Sequence, residues 1–332
     1  MLLRIYRGVG PGTIMVIVIS LVLVWLQALL HPVEPSLYHH VNPAPLYSLI
    51  LALFKGKALA GIIFSMVMVL LTAIYLVNFN TRLFFINERT FLPASLYVLL
   101  SGYIYSNQVL NPVLPASILL LLSINRIIVS YRKPGIAYNL FDASLLIGIA
   151  ALIYTNIVWF YLLIIIGIGL FRSVNLREIL ISLVGLITPF IILYSLYYFM
   201  GRDITWLNHF FIGSIITDVR DFYWSPEFII ISSINAFIFI VALLHLWSVF
   251  NTKKVRSRKI FSLFTWMLII TVLIYLIIPS ASVEMMYVFL IPLVYFLTHY
   301  LVMMRNKKIA NYLFAIIFLS VLFMQLSRAI II

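Results

Sequence analysis

Long apolar runs separated by short polar segments follow one another along almost the whole chain. A run of roughly 18 or more apolar residues is long enough to cross a ~30 Å hydrocarbon core as a helix. We therefore predict about eleven spans, of which the third, fifth and sixth are short and leave room for tilted pairs or broken helices. They cover residues 12–31, 57–78, 91–106, 112–130, 138–153, 156–171, 179–200, 228–250, 260–278, 285–304 and 309–327.

The composition supports a membrane protein. Hydrophobic residues make up 64% of the chain and charged residues 9%, and the mean hydropathy is +1.16. Soluble domains are far more polar than this. We therefore expect an all-α, polytopic helical membrane protein. The chain has no cysteine, which excludes disulfides and thiolate chemistry.

The positions of the basic residues predict the orientation. Most of the 22 Lys and Arg residues fall in segments that would lie on the same side as the N-terminus, and short basic loops are retained in the cytoplasm. The N-terminus is therefore expected inside and the C-terminus outside. The net charge of +13 then reflects topology and attraction to anionic lipids, so membrane lipids are expected partners and nucleic acid is not.

A polar insert separates the first two spans. It has the sequence HPVEPSLYHHVNPAP at 31–45 and is followed by the apolar stretch 45–54, which is too short to span and predicts an interfacial helix. Glu34 is the candidate catalytic residue, either as a general base or as a ligand of a divalent ion. We expect Glu34 to be partly buried at the membrane surface. His39 and His40 are candidates for binding a phosphate or a metal ion.

A second polar cluster occupies 202–227 and nearly coincides with the predicted outer loop 201–226. Apolar residues at three- and four-residue spacing from Ile204 to Ile215 predict another interfacial helix. Arg202 and Arg220 are candidate phosphate ligands, because guanidinium groups match phosphate oxygens. The alternative is that they form local salt bridges with the neighbouring aspartates. Lys57, which opens the second span, is a further candidate for substrate binding.

Three acids outside these clusters have simpler interpretations. Glu284 precedes the tenth span, where a carboxylate stabilises the helix through its dipole. Glu88 and Arg89 form an opposite-charge pair that we expect to open the third span. Asp142 lies near the predicted inner end of its span, within reach of headgroups or of Arg126. Because the spans hold almost no ionisable residue, a transporter with a charged midplane site is disfavoured.

This arrangement resembles the N-terminal part of GT-C-type glycosyltransferases: an inside N-terminus, one span, an outer loop beginning with an acid, a surface helix and a second span. The resemblance implies a seven-span module over 1–200, with Glu34 in the place of the essential acid, and a variable region over 201–332 with about four spans. It also implies a polyprenyl-phosphate-linked sugar as donor. A paired acid in the first loop, which many members have, is absent here.

Two segments, NLFDASLLIGIAALIYTNIVWFYLLI and LREILISLVGLITPFIILYSLYYF, resemble an uncharacterised family of multi-pass membrane proteins from Bacteroidota. This resemblance implies the inner membrane of a Gram-negative bacterium. The function expected from sequence is thus transfer of a sugar from a polyprenyl phosphate at the periplasmic face. A non-enzymatic scaffold or accessory subunit of an envelope assembly, with a protein partner, and a lipid or glycolipid flippase remain alternatives. No cofactor is predicted beyond an optional divalent metal ion.

Overall fold

The computed structural model describes residues 2–34, 43–130, 137–171, 175–216 and 225–329. These residues form fifteen α-helices and no strand. The helices are α1 (Leu2–Arg7), α2 (Pro11–Val24), α3 (Leu26–Leu30), α4 (Pro45–Phe54), α5 (Ala58–Leu83), α6 (Leu92–Ser101), α7 (Val113–Val129), α8 (Ala137–Ala151), α9 (Tyr161–Phe171), α10 (Leu176–Phe199), α11 (Ile204–Ile216), α12 (Pro226–Ser248), α13 (Val255–Ile277), α14 (Met286–Met303) and α15 (Lys307–Ala329). Short 3₁₀ segments lie at Tyr105–Asn107, Thr155–Phe160, Phe250–Thr252 and Val283–Met285.

Six segments of the described chain are long and apolar enough to cross a membrane: α5, α10, α12, α13, α14 together with its preceding 3₁₀ turn, and α15. The prediction of a polytopic helical membrane protein is therefore confirmed at this level. A helix lies within each of the other five predicted spans, but these helices are shorter. The count of eleven crossings remains a prediction.

The structure corrects the first and third predicted spans. The first is two helices that meet at Trp25, a buried residue whose φ of −100° and ψ of 6° interrupt the helix. The third is the ten-residue helix α6, and the predicted span continues beyond it as turns and a 3₁₀ segment. Ten residues rise only about 15 Å, which is half of a hydrocarbon core. All ten residues of α6 are buried, so this helix belongs to the centre of the bundle.

Helices from both predicted regions share one hydrophobic core. α14 packs on α6, α13 packs on α9, and α1 packs on α15. By contrast, α10 and α12 are peripheral and present many apolar side chains outward, among them Leu180, Val184 and Ile191 on α10. Long helices with an apolar outer face fit a lipid environment.

Two charged contacts can be compared with the sequence predictions. Glu88 does not pair with Arg89 at a helix start. Instead, it accepts two hydrogen bonds from Arg7, at 2.8 Å from Nε and 2.6 Å from Nη2. The prediction was wrong because it considered only residues adjacent in sequence, whereas the fold brings α1 beside the turn before α6. Arg126 and Asp142 do approach each other, with Nη1 and Oδ2 3.9 Å apart.

Candidate functional site

The short helix α4 organises the candidate site, and it coincides with the predicted interfacial helix. Pro45 begins it, where the missing N–H costs nothing. The backbone N–H of Leu46 donates to the carbonyl of Leu152 at 3.0 Å, and the Tyr47 hydroxyl donates to the carbonyl of Leu110 at 2.8 Å. Burial raises the pKa of Tyr47, so its hydroxyl remains a donor. These two bonds fix α4 to the loops that follow α6 and α8.

Glu34 lines a groove of about 240 Å³ on one side of α4. The groove is amphiphilic, since it has charged residues at its rim and apolar side chains along its wall. Its other lining residues are Ser48, Leu51, Ala52, Phe54, Lys55, Gly56, Lys57, Ala58, Gly61 and Leu110. The carboxylate of Glu34 makes no ion pair or hydrogen bond within the described residues. Glu34 is exposed, so the partial burial expected from the sequence is not found.

Two lysines reach this groove because of the turn between α4 and α5. Gly56 has a φ of 71°, in the left-handed region that favours glycine, and the chain reverses there between Lys55 and Lys57. The N–H of Lys57 bonds the carbonyl of Phe54 at 2.9 Å. Lys57, a predicted substrate-binding candidate, thus lines the same groove as Glu34. Lys55 is a further lining residue that was not predicted. The sequence pattern Lys-Gly-Lys directly after an apolar helix could have identified it.

Arg202 lies in a different groove, of about 470 Å³, on the other side of α4. Its guanidinium carbon is 5.7 Å from the centre of the Tyr197 ring, and Trp206 stacks on the same ring at 6.2 Å. Asp203 also lines this groove, but its carboxylate accepts hydrogen bonds from the N–H and hydroxyl of Thr205. These bonds lower the pKa of Asp203. Within the described residues Arg202 forms no ion pair, so the local salt bridge to Asp203 is not made.

Ser48 lines both grooves, so α4 separates them. The structure therefore places Glu34 and Lys57 together and Arg202 in the neighbouring groove. His39, His40 and Arg220 lie outside the described residues. The helix predicted near 204–215 is observed as α11, and of the residues in its predicted apolar stripe only Leu207 is fully buried.

Sequence reasoning missed a buried polar strip beneath α4, formed by Asn107, Gln108 and Asn111 in the loop between α6 and α7. Asn107 donates from Nδ2 to the Val283 carbonyl at 3.1 Å, and Gln108 donates from Nε2 to the Val24 carbonyl at 3.0 Å. The strip thereby joins distant helices. Within the described chain, Asn107 Oδ1, Gln108 Oε1 and Asn111 Nδ2 have no hydrogen-bond partner.

Glu284 lies close to this strip, in the 3₁₀ turn that leads into α14. It interacts electrostatically with the hydroxyls of Tyr47 and Tyr154. Burial and this carboxylate together raise the pKa of Tyr154 to about 12. A second acid is therefore present below α4.

Among the described residues, no group of three or more His, Asp or Glu side chains is arranged to hold a metal ion. Comparison of the chain with protein-family models, with curated proteins and with solved structures found no match. The two resemblances drawn from the sequence therefore remain predictions, and the local geometry has to support any functional conclusion.

Proposed function

We propose that this chain is a membrane glycosyltransferase that moves a sugar from a polyprenyl-phosphate donor to an acceptor hydroxyl. In this proposal about eleven helices cross the inner membrane of a bacterium, the α4 end faces the periplasm, and the fold is GT-C-like. The observation that carries the proposal is the Glu34 groove. It combines an unpaired carboxylate, two lysines and an apolar wall beside a short helix of interfacial length.

The groove suits a headgroup attached to a lipid. Its volume of about 240 Å³ is below the ~300–1,000 Å³ of typical ligand pockets, so it would hold a polar head while the chain lies along apolar helices. Leu51, Phe54 and Ala58 supply an apolar wall beside Lys57. Charge on a phosphate next to Lys55 and Lys57 would be stabilised as it develops.

The reaction would be a displacement at the anomeric carbon. Glu34 takes the proton of the acceptor hydroxyl, and the acceptor oxygen forms the new bond to the sugar. The bond between the sugar and the phosphate oxygen breaks, and its electron pair stays on the polyprenyl phosphate beside Lys57. Arg202 lines the neighbouring groove on the other side of Ser48, where it would bind another polar group of the donor or acceptor. In the alternative role of Glu34, as a ligand of a divalent ion, the ion would stabilise the leaving group instead.

The test is turnover of a panel of polyprenyl-phosphate hexoses and pentoses by purified protein, followed as release of polyprenyl phosphate. Glu34→Gln should lower the rate by at least about 100-fold, the usual contribution of a general base. Glu227→Gln is the matched control, because Glu227 is an exposed acid that does not line the groove. Equal, nonzero rates for wild type and Glu34→Gln would remove Glu34 from the mechanism. No turnover with any donor would favour the scaffold.

A further inference from the structure

Another polar site, distinct from the two grooves beside α4, lies at the opposite end of the bundle. Tyr103 lies in the loop between α6 and α7, whose Leu110 accepts a hydrogen bond from α4. Tyr103 hydrogen-bonds Ser232 in the first part of α12 at 3.0 Å, so the last turns of α12 are at the other end. There the ring of His245 is 5.9 Å from that of His299 and 5.2 Å from that of Tyr300. We call this group, together with Lys253, the His245–His299 cluster. α12, α14 and the segment that leads into α13 supply it.

The cluster holds buried polar atoms without partners. His299 is completely buried, and within the described residues neither of its ring nitrogens has a hydrogen-bond partner. The same is true of His245 Nδ1. Buried polar groups are normally hydrogen-bonded, and each exception needs an explanation. Two imidazoles can both donate hydrogen bonds to one acceptor group.

Lys253 adds a positive charge without a counterion. Its ammonium nitrogen lies 5.3 Å from the centre of the Phe261 ring, and that ring is 5.4 Å from the His299 ring. Lys253 also interacts electrostatically with both imidazoles. Burial lowers its pKa, and no carboxylate of the described chain is within ion-pair distance of it. A partly buried charge normally has a partner of opposite sign.

The start of α13 strengthens the positive potential. This helix begins at Val255, two residues after Lys253, and no side chain caps its first N–H groups. Free N–H groups and the helix dipole at such an end favour an anion. Arg256, Arg258 and Lys259 follow in the first turns. A metal cation is disfavoured by the same charges, so the imidazoles are better matched to an anion.

We propose that the His245–His299 cluster binds a phosphate group. Lys253 and the N-terminus of α13 supply the charge, while His245 and His299 donate hydrogen bonds. Because the cluster lies where three apolar helices end, the phosphate of an anionic lipid headgroup is one source. A soluble phosphate compound is the other. The site is separate from the Glu34 groove, so the two proposals stand or fall independently.

Thermal unfolding of the purified full chain in detergent, titrated with short-chain phosphatidylglycerol or with inorganic phosphate, tests this proposal. A ligand of the folded state raises Tm, by an amount that grows with the ratio of its concentration to its Kd. We expect Lys253→Gln to weaken the apparent affinity about tenfold, as for loss of a charged hydrogen bond. Lys254→Gln, the same change on an exposed neighbour, should alter it less than about twofold. His245→Gln, on a half-buried residue, should resemble Lys253→Gln.

The outcomes separate the sources and the alternatives. A Lys253-dependent shift with phosphatidylglycerol alone identifies a lipid site, and the same shift with inorganic phosphate identifies a soluble ligand. Equal losses in Lys253→Gln and Lys254→Gln would overturn the proposal, because they indicate only diffuse attraction to the basic segment 253–259. Stabilisation by zinc that depends on His245 but not on Lys253 would also overturn it, in favour of a metal site.

Discussion

The Tyr47 hydroxyl donates a hydrogen bond of 2.8 Å to the carbonyl oxygen of Leu110, and Leu110 itself lines the groove of Glu34. This contact ties α4 to the buried loop between α6 and α7. The groove therefore depends on a long-range contact, and its shape should respond to changes in Tyr47 that leave Glu34 untouched.

Tyr47→Phe should lower the free energy of unfolding by about 1–3 kcal/mol, because the Leu110 carbonyl loses its partner in a buried position. It should also reduce the proposed sugar-transfer activity, since α4 carries one wall of the groove. Thermal unfolding and turnover measured on the same preparation check both effects. Tyr198→Phe is the control, because Tyr198 is largely exposed. Identical behaviour of the two variants would show that the contact does not hold α4.

The pair of Arg7 and Glu88 should contribute to stability. Its two hydrogen bonds have bidentate geometry, and both side chains are partly buried, with exposures of 26% and 34%. We expect Glu88→Gln to cost roughly 1–2 kcal/mol of unfolding free energy. Arg89→Gln, on an exposed residue next to it, should cost less than about 0.5 kcal/mol. Thermal unfolding of both variants decides between this pairing and the Glu88–Arg89 pairing expected from the sequence.

Close packing of α8 against α10 gives a third prediction. A Cβ added to Gly185 would lie 2.5 Å from the backbone oxygen of Phe141, and one added to Gly148 would lie 2.6 Å from that of Leu186. Gly185→Ala must push the helices apart and should cost about 1–3 kcal/mol. In Gly12→Ala the new Cβ meets nothing within 4 Å, so this control should be neutral or stabilise by up to about 1 kcal/mol. Equal melting temperatures for both variants would refute the close contact.

Asp203 gives a prediction about pH. The hydrogen bonds from Thr205 lower its pKa in the folded state, so the folded protein favours the carboxylate. Its contribution to stability is present above the ordinary pKa of 3.8 and is lost as the pH falls through the lowered value. The difference in Tm between wild type and Asp203→Asn should therefore be largest at neutral pH and shrink below pH 3.8. A difference in Tm that stays constant down to pH 3 would show that the ionised Asp203 carboxylate does not stabilise the folded state.

The helical class and the helix α4 were predictable from local pattern. A ten-residue apolar stretch after Pro43 and Pro45 can form only a short helix, and Pro45–Phe54 is the observed one. The burial of the segment SNQVLNP at 106–112 could not be predicted in this way, because its polar composition is typical of an exposed turn. The segment is buried since Val24 and Val283, distant in sequence, supply carbonyls for its amides. Local composition carries no information about such partners.

The site was predictable only in part, for the same reason. Glu34 and Lys57 share a groove because the turn at Gly56, directly after α4, brings Lys57 to the groove. Both ends of that turn are near in sequence. Arg202 is about 150 residues away, and only the packing of α10 and α11 beside α4 determines its groove. The residues of the His245–His299 cluster likewise come from separate parts of the chain that only the fold brings together. The spacing of these residues in the sequence does not indicate a site.

The most direct measurement of the central claim is photocrosslinking of a polyprenyl phosphate that carries a diazirine near its phosphate, with the labelled residues mapped by mass spectrometry. The proposal predicts label on the lining of the Glu34 groove, at Leu51, Phe54 or Ala58, and loss of this label in Lys57→Gln. Label confined to the outward apolar faces of α10 and α12, unchanged in Lys57→Gln, would contradict it.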